Sequence, residues 1–106
     1  MIPDSQTNTL YIADCLPKKH PKFFMDFEAI LKKCGITFQL LPDTKDIWAV
    51  DYMPVQVTVD KFVQFVYNPD YLQSRKWIKT ITDVESICNS IRLNRIKSDI
   101  VLDGGN

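Results

Sequence analysis

An excess of charge of either sign is missing from this chain. Its 106 residues hold 13 basic and 13 acidic side chains, for a formal net charge of zero. A nucleic-acid partner would need a basic excess gathered on one face, so none is expected. The two small basic clusters, Lys18-Lys19-His20 and Arg92-Leu93-Asn94-Arg95, read as solvated ends of elements. No apolar run approaches the ~18 residues that a membrane span requires. The start, Met1-Ile2-Pro3-Asp4, has neither the basic region nor the apolar region of a signal peptide. Cysteine is sparse: Cys15, Cys34 and Cys88 are odd in number, widely spaced, and form no Cys-x-x-Cys. That argues against a disulfide framework or a zinc site, so no metal is expected. Together these absences point to a reducing, cytoplasmic setting.

What is present supports one small α/β domain, or part of a larger one. The apolar fraction of 45% suffices for a packed core, and 25% charged residues is ordinary for a soluble protein. Thr9 to Ala13 reads as a strand, and Pro17 to Pro21 as a breaker loop. Phe23, Phe24, Phe27, Ile30 and Leu31 then recur at helical spacing, which predicts a helix over about 22–34. Gly35 supplies its stop. Ile36 to Leu41 is a second strand, ended by Pro42-Asp43. Val55–Val59 and Phe62–Tyr67 alternate or are β-branched, which predicts a hairpin joined at Asp60-Lys61. Residues 72–81 read as an irregular excursion, or as an early start of the next helix near Ser74. Thr82-Asp83-Val84-Glu85 is a capping box that opens a helix with Val84, Ile87, Cys88 and Ile91 on one face. Ser98–Leu102 is a last strand, running into Asp103-Gly104-Gly105-Asn106. About five strands and two helices, with no internal repeat, make an α/β or α+β pattern.

The stretch Thr44 to Pro54 carries the chemistry. It sets an indole, acids and a helix-breaking proline between two strand-like runs, where folds commonly place binding groups. An aromatic face beside a carboxylate suits a flat cation such as a guanidinium. The carboxylate takes paired N–H bonds while the indole stacks on the plane. Plainer roles are also open. Trp48 could be a half-buried aromatic at a core edge, and Asp46 and Asp51 could be turn or N-cap acids. Asp103-Gly104-Gly105 could be an ordinary turn. Cys34 reads as a small hydrophobe in the last helical turn, Cys88 as core, and His20 as exposed and inert.

Trp48-x-x-Asp51-x-x-Pro54, followed at a compatible spacing by Asp103-Gly104-Gly105-Asn106, resembles two ordered segments of the agmatine deiminase and bacterial-type peptidylarginine deiminase family. The resemblance covers about residues 8–106, the N-terminal third of a family member. It implies a fragment, about one blade and a half, of a five-bladed α/β propeller of the pentein type, with a mixed sheet and two helices. It also implies hydrolysis of guanidinium groups, in which a cysteine thiolate attacks the guanidinium carbon, ammonia leaves and a ureido product remains. No metal or organic cofactor is implied.

Carried over residue by residue, the resemblance makes Asp51 the guanidinium-binding acid and Trp48 a pocket wall. Asp103 becomes a substrate-binding or supporting acid, and Gly104 and Gly105 a loop that lets backbone approach the site. Val50 and Met53 stand where the family has arginine and glycine. None of Cys15, Cys34, Cys88 and His20 matches a family catalytic position, so the expected catalytic residues within this chain are none. The expectation is therefore an N-terminal segment, truncated after Asn106 and inactive alone, whose parent takes a guanidinium-bearing small molecule or a peptidyl arginine. The alternative is a degenerate, non-catalytic α/β module acting through association. A blade cut from a ring exposes apolar faces, so self-association is expected in either case.

Overall fold

Two crossovers between parallel strands organise the chain. The computed structural model describes residues 2–103. Strand β1 (Leu10–Ala13) is followed by helices α1 (Cys15–Lys19) and α2 (Pro21–Lys33), which return the chain to β2 (Phe38–Leu41). β1 and β2 pair in parallel, Leu10 opposite Phe38 and Ala13 opposite Leu41. A parallel pair needs a long connection of this kind, because a tight turn can only reverse the chain.

A short helix α3 (Ala49–Tyr52) then leads to strands β3 (Val55–Thr58) and β4 (Lys61–Tyr67), which form an antiparallel hairpin. The second crossover runs through two single turns of 3₁₀ helix and helix α4 (Val84–Ser90) to β5 (Ile96–Leu102), which pairs in parallel with β4. The described residues thus hold a two-stranded parallel sheet and a three-stranded mixed sheet, ordered β3-β4-β5.

The helix ends follow local chemistry. α2 closes with the Gly35 N–H on the Lys32 carbonyl (3.1 Å) and the Ile36 N–H on the Leu31 carbonyl (2.9 Å). That is a Schellman closure, and Gly35 takes the left-handed φ of 70° that it needs. α4 ends the same way, but there Arg92 occupies the left-handed position. At its start the expected capping box shifts by one residue: Asp83, not Thr82, is the N-cap, its Oδ1 accepting the Ser86 N–H at 3.1 Å. Thr82 is unavailable because its hydroxyl accepts the Lys45 N–H at 3.1 Å.

The core joins β2 and α3 to the second crossover. Leu41 of β2, Tyr52 of α3, and Val84, Ile87 and Cys88 of α4 are buried together, with Met53, Tyr67 and Ile91 packed around them. The face expected of α4 therefore packs as its spacing requires.

Several expectations are corrected. Four helices, not two, are formed among the described residues. α1 lies in the stretch read as a breaker loop, and its Pro17 is tolerated within a single turn. The hairpin turn is Val59-Asp60, with Lys61 already in β4. No helix begins near Ser74. Cys34 is exposed rather than packed, because it caps α2 outside the apolar face. Arg95 is not a solvated end. It is half-buried, its Nε donates to Gln64 Oε1, and its Nη1 donates to Asn89 Oδ1 and the Leu93 carbonyl. It therefore ties the end of α4 to the strand beside it.

Burial on α2 is partial. Leu31 is buried, but Phe23, Met25 and Ile30 are exposed, as are Ile96, Ile100 and Val101 of β5. No helix among the described residues is long and apolar enough to cross a membrane.

Leu41 has no exposed surface and is buried together with Tyr52 of α3 and with Val84, Ile87 and Cys88 of α4. Leu41→Ala should destabilise the fold by about 2–5 kcal/mol, the usual loss for a leucine cavity. Urea unfolding followed by circular dichroism measures it, and an unchanged midpoint would contradict this account of the core.

Candidate binding site

The site is built where strands end. After β2 the chain must reverse away from the sheet, and Asp43 does so with a positive φ of 56°. Such a conformation is tolerated by short polar side chains but still disfavoured, so it needs support. Asp14, just past the end of β1, gives it. Asp14 Oδ2 accepts the Asp43 N–H at 3.0 Å, and Oδ1 accepts the Thr44 N–H at 3.1 Å and the Thr44 hydroxyl at 2.5 Å. Thr44 Oγ1 in turn accepts the Cys15 N–H at 3.2 Å. Burial alone would raise the Asp14 pKa, but the hydrogen bonds from Thr44 and Asp43, with Lys18 nearby, hold it below its ordinary value.

The fastening continues along the loop. The Lys45 N–H meets Thr82, and the Lys45 carbonyl accepts from Lys19 Nζ at 3.0 Å. The Tyr52 hydroxyl donates to the Asp46 carbonyl at 2.8 Å, and Asp46 Oδ1 accepts the Trp48 N–H at 3.2 Å. Asp46 is thus a turn acid, as one reading of the sequence has it. The segment expected as a loop then forms one helical turn, α3, with the Met53 N–H on the Ala49 carbonyl. Pro54 ends it, holding Met53 extended at φ −75° and ψ 153°.

This turn presents Trp48 and Asp51 to one cleft. Trp48 is 60% exposed, which excludes the core-edge role, while Asp51 is half-buried. Both line a cleft of about 700 Å³ together with Asp46, Tyr67, Tyr71 and Trp77. No Lys, Arg or His lines it. Burial first, then the neighbouring Tyr71, Asp46 and Asp51, push the Tyr67 phenol above its ordinary range, so it stays neutral. The ionisable groups of the walls are then two carboxylates and phenols, an arrangement that favours a cation. The Val50 side chain is 76% exposed at the rim.

A second concavity, of about 470 Å³, lies between the N-terminal segment, α3 and the β3–β4 hairpin. It is more apolar, and no Asp, Glu, Lys, Arg or His among the described residues lines it, so it lacks the means to hold a charge.

The remaining expected residues are placed as follows. Asp103 is exposed and does not line the cleft, but its carbonyl accepts the Tyr71 hydroxyl at 3.0 Å, which brings its backbone to the cleft wall. Gly104 and Gly105 lie outside the described residues. Cys15 and Cys88 are buried, Cys34 and His20 are exposed, and none of the four lines the cleft. No group of three or more His, Cys, Asp or Glu among the described residues could hold a metal ion.

Tyr67, Tyr71 and Trp77 are absent from the sequence-based reading of the site. One signal could have found Tyr67: it ends a strand with a parallel neighbour, and open α/β sheets bind ligands beyond the carboxyl ends of their strands. Tyr71 and Trp77 carry no comparable signal, because they fall in a stretch without periodicity.

No family model, no curated protein and no solved structure matches the chain.

Asp14→Ala should destabilise the protein by about 0.5–1.5 kcal/mol, the usual net worth of a hydrogen bond, because its donors are exposed or part-buried and water can replace the carboxylate. The same bonds set a pH dependence. Because the folded carboxyl titrates below its ordinary value of 3.8, their contribution is fully present above that value. It is lost as pH falls further, through the folded value. Denaturant midpoints of wild type and Asp14→Ala should therefore converge towards pH 2. A gap that stays constant down to that pH would contradict the assignment.

Proposed function

We propose that the cleft between Trp48 and Asp51 binds a guanidinium cation. We further propose that these residues form the N-terminal part of a hydrolase like the agmatine and bacterial-type peptidylarginine deiminases. The observation that supports this most is the sharing of one cleft by an exposed indole and a half-buried carboxylate, with no basic side chain on its walls. A guanidinium is planar and weakly hydrated, so it gains from stacking as well as from charge-assisted bonds.

In this reading β1–β2 and β3–β5 belong to successive units of a five-bladed α/β propeller. The cysteine thiolate and the histidine of the reaction come from sequence other than these residues, since Cys15, Cys34, Cys88 and His20 lie off the cleft. The stretch described therefore binds and orients the cation, and does not by itself release ammonia. The substrate is a guanidinium-bearing small molecule or a peptidyl arginine.

A second reading, association without catalysis, is favoured by the apolar side chains left uncovered on α2 and β5. The two readings are compatible, because a blade within a ring also needs neighbours.

Agmatine titrated calorimetrically into the protein should bind saturably, and putrescine, with an ammonium in place of the guanidinium, more weakly. Asp51→Asn should weaken agmatine binding by roughly ten- to a hundredfold, the worth of hydrogen bonds to a charged group. Equal affinity in the variant would reject the assigned role. On size-exclusion chromatography the protein should elute as a dimer or larger at micromolar concentration. A monomer across that range would reject the association reading.

A further inference from the structure

We infer that the cleft is an aromatic cage selective for N-methylated cations, a reading that rests on the proposal that a cation binds there. Trp48 and Trp77 supply two indoles to its walls, and Tyr67 and Tyr71 two phenol rings, against two carboxylates, Asp46 and Asp51. Rings thus outnumber charged acceptors. An N–H pressed on a ring loses a water hydrogen bond and gains only a weak contact in return. A methyl group in its place loses nothing and buries apolar area, while the positive charge still meets the ring faces and the carboxylates.

The hydroxyls of the cage do little to change this balance. Tyr71 donates its own to the Asp103 carbonyl at 3.0 Å, so it is already engaged. The Tyr67 phenol stays protonated among Tyr71, Asp46 and Asp51, so it adds no charge to compete for N–H donors. Trp77 already receives a cation, Lys76 Nζ at 4.8 Å from the ring centroid, so a bound cation must displace Lys76 or use the other face of the indole. The segment carrying Tyr71 and Trp77 is otherwise an irregular crossover, and its aromatic residues are well exposed at 60% and 47%. Without a ligand, exposed rings of this size gain nothing from facing water.

The test compares guanidinium with N,N-dimethylguanidinium, and methylammonium with tetramethylammonium, at millimolar concentrations in the calorimeter or by indole fluorescence. The methylated member of each pair should bind about tenfold more tightly, the scale of one desolvated cation–π contact. Trp77→Ala should abolish that preference and Trp77→Phe should retain much of it. Tyr71→Phe, which removes the bond to Asp103 but keeps the ring, should also retain it. A blocked peptide of ω-dimethylarginine tells the two sources apart: a gain over the free ion marks a protein side chain as ligand, and parity marks a small molecule. Guanidinium bound without any preference for methylation would overturn the cage alone. No binding of any of these cations would overturn the cation reading beneath it as well. Both tryptophan variants alter a partly exposed residue, and a far-ultraviolet spectrum matching wild type confirms that they fold.

Discussion

Asp14 receives two backbone N–H groups and a hydroxyl from the strand-end turn opposite, and the presentation of the cleft follows from that grip. The turn has to reverse the chain through a left-handed Asp43, which an unsupported L-residue adopts at a cost of roughly 1–2 kcal/mol. A charged acceptor with three donors offsets that strain. Once Asp43 and Thr44 are held, Lys45 reaches Thr82 and Asp46 reaches Tyr52. Trp48 is then fixed by the Asp46 side chain. The loop is short of apolar anchors but rich in hydrogen bonds, and that suits a segment that must be rigid while staying at the surface.

The same fastening links fold to site. Tyr52 is buried in the core yet holds the Asp46 carbonyl with its hydroxyl. Its ring meets that of Tyr67 at 5.5 Å, and Tyr67 is a wall of the cleft. Packing of α4 against Leu41 and Tyr52 therefore sets the distance between the α3 turn and the end of β4. The cleft is a gap between the loop and turn around α3, the end of β4 and the start of the second crossover. Its aromatic rings come from the α3 turn, the end of β4 and the irregular stretch that follows β4.

Much of this was legible in the sequence because strong local signals agree with the fold. The spacing of Phe23 to Leu31 marks α2, Gly35 marks its end, and Val84, Ile87 and Cys88 mark the buried face of α4. The strand positions of Val55 to Tyr67 follow from β-branching. Trp48 and Asp51 stand out because an indole and an acid between two strands have no packing duty. What stayed hidden depends on contacts far apart in the chain. Asp14 looks like an ordinary polar residue after a strand until Thr44 lies beside it. Thr82 looks like a helix cap, but Lys45 claims its hydroxyl and Asp83 takes over. Arg95 looks like a solvated charge until Gln64 and Asn89 close around it. Tyr71 and Trp77 sit in a stretch with no period to read. Tertiary partners, rather than propensity, decide each of these.

The central claim is that a planar cation sits between the indole of Trp48 and the carboxylate of Asp51, in a cleft shared with Trp77. The chain has two tryptophans, so its nitrogen–proton correlation spectrum holds two indole signals, and both rings line the cleft. Titration with agmatine should move both signals along saturable curves with a single dissociation constant. Indole signals that stay fixed while agmatine reaches tens of millimolar would contradict the account.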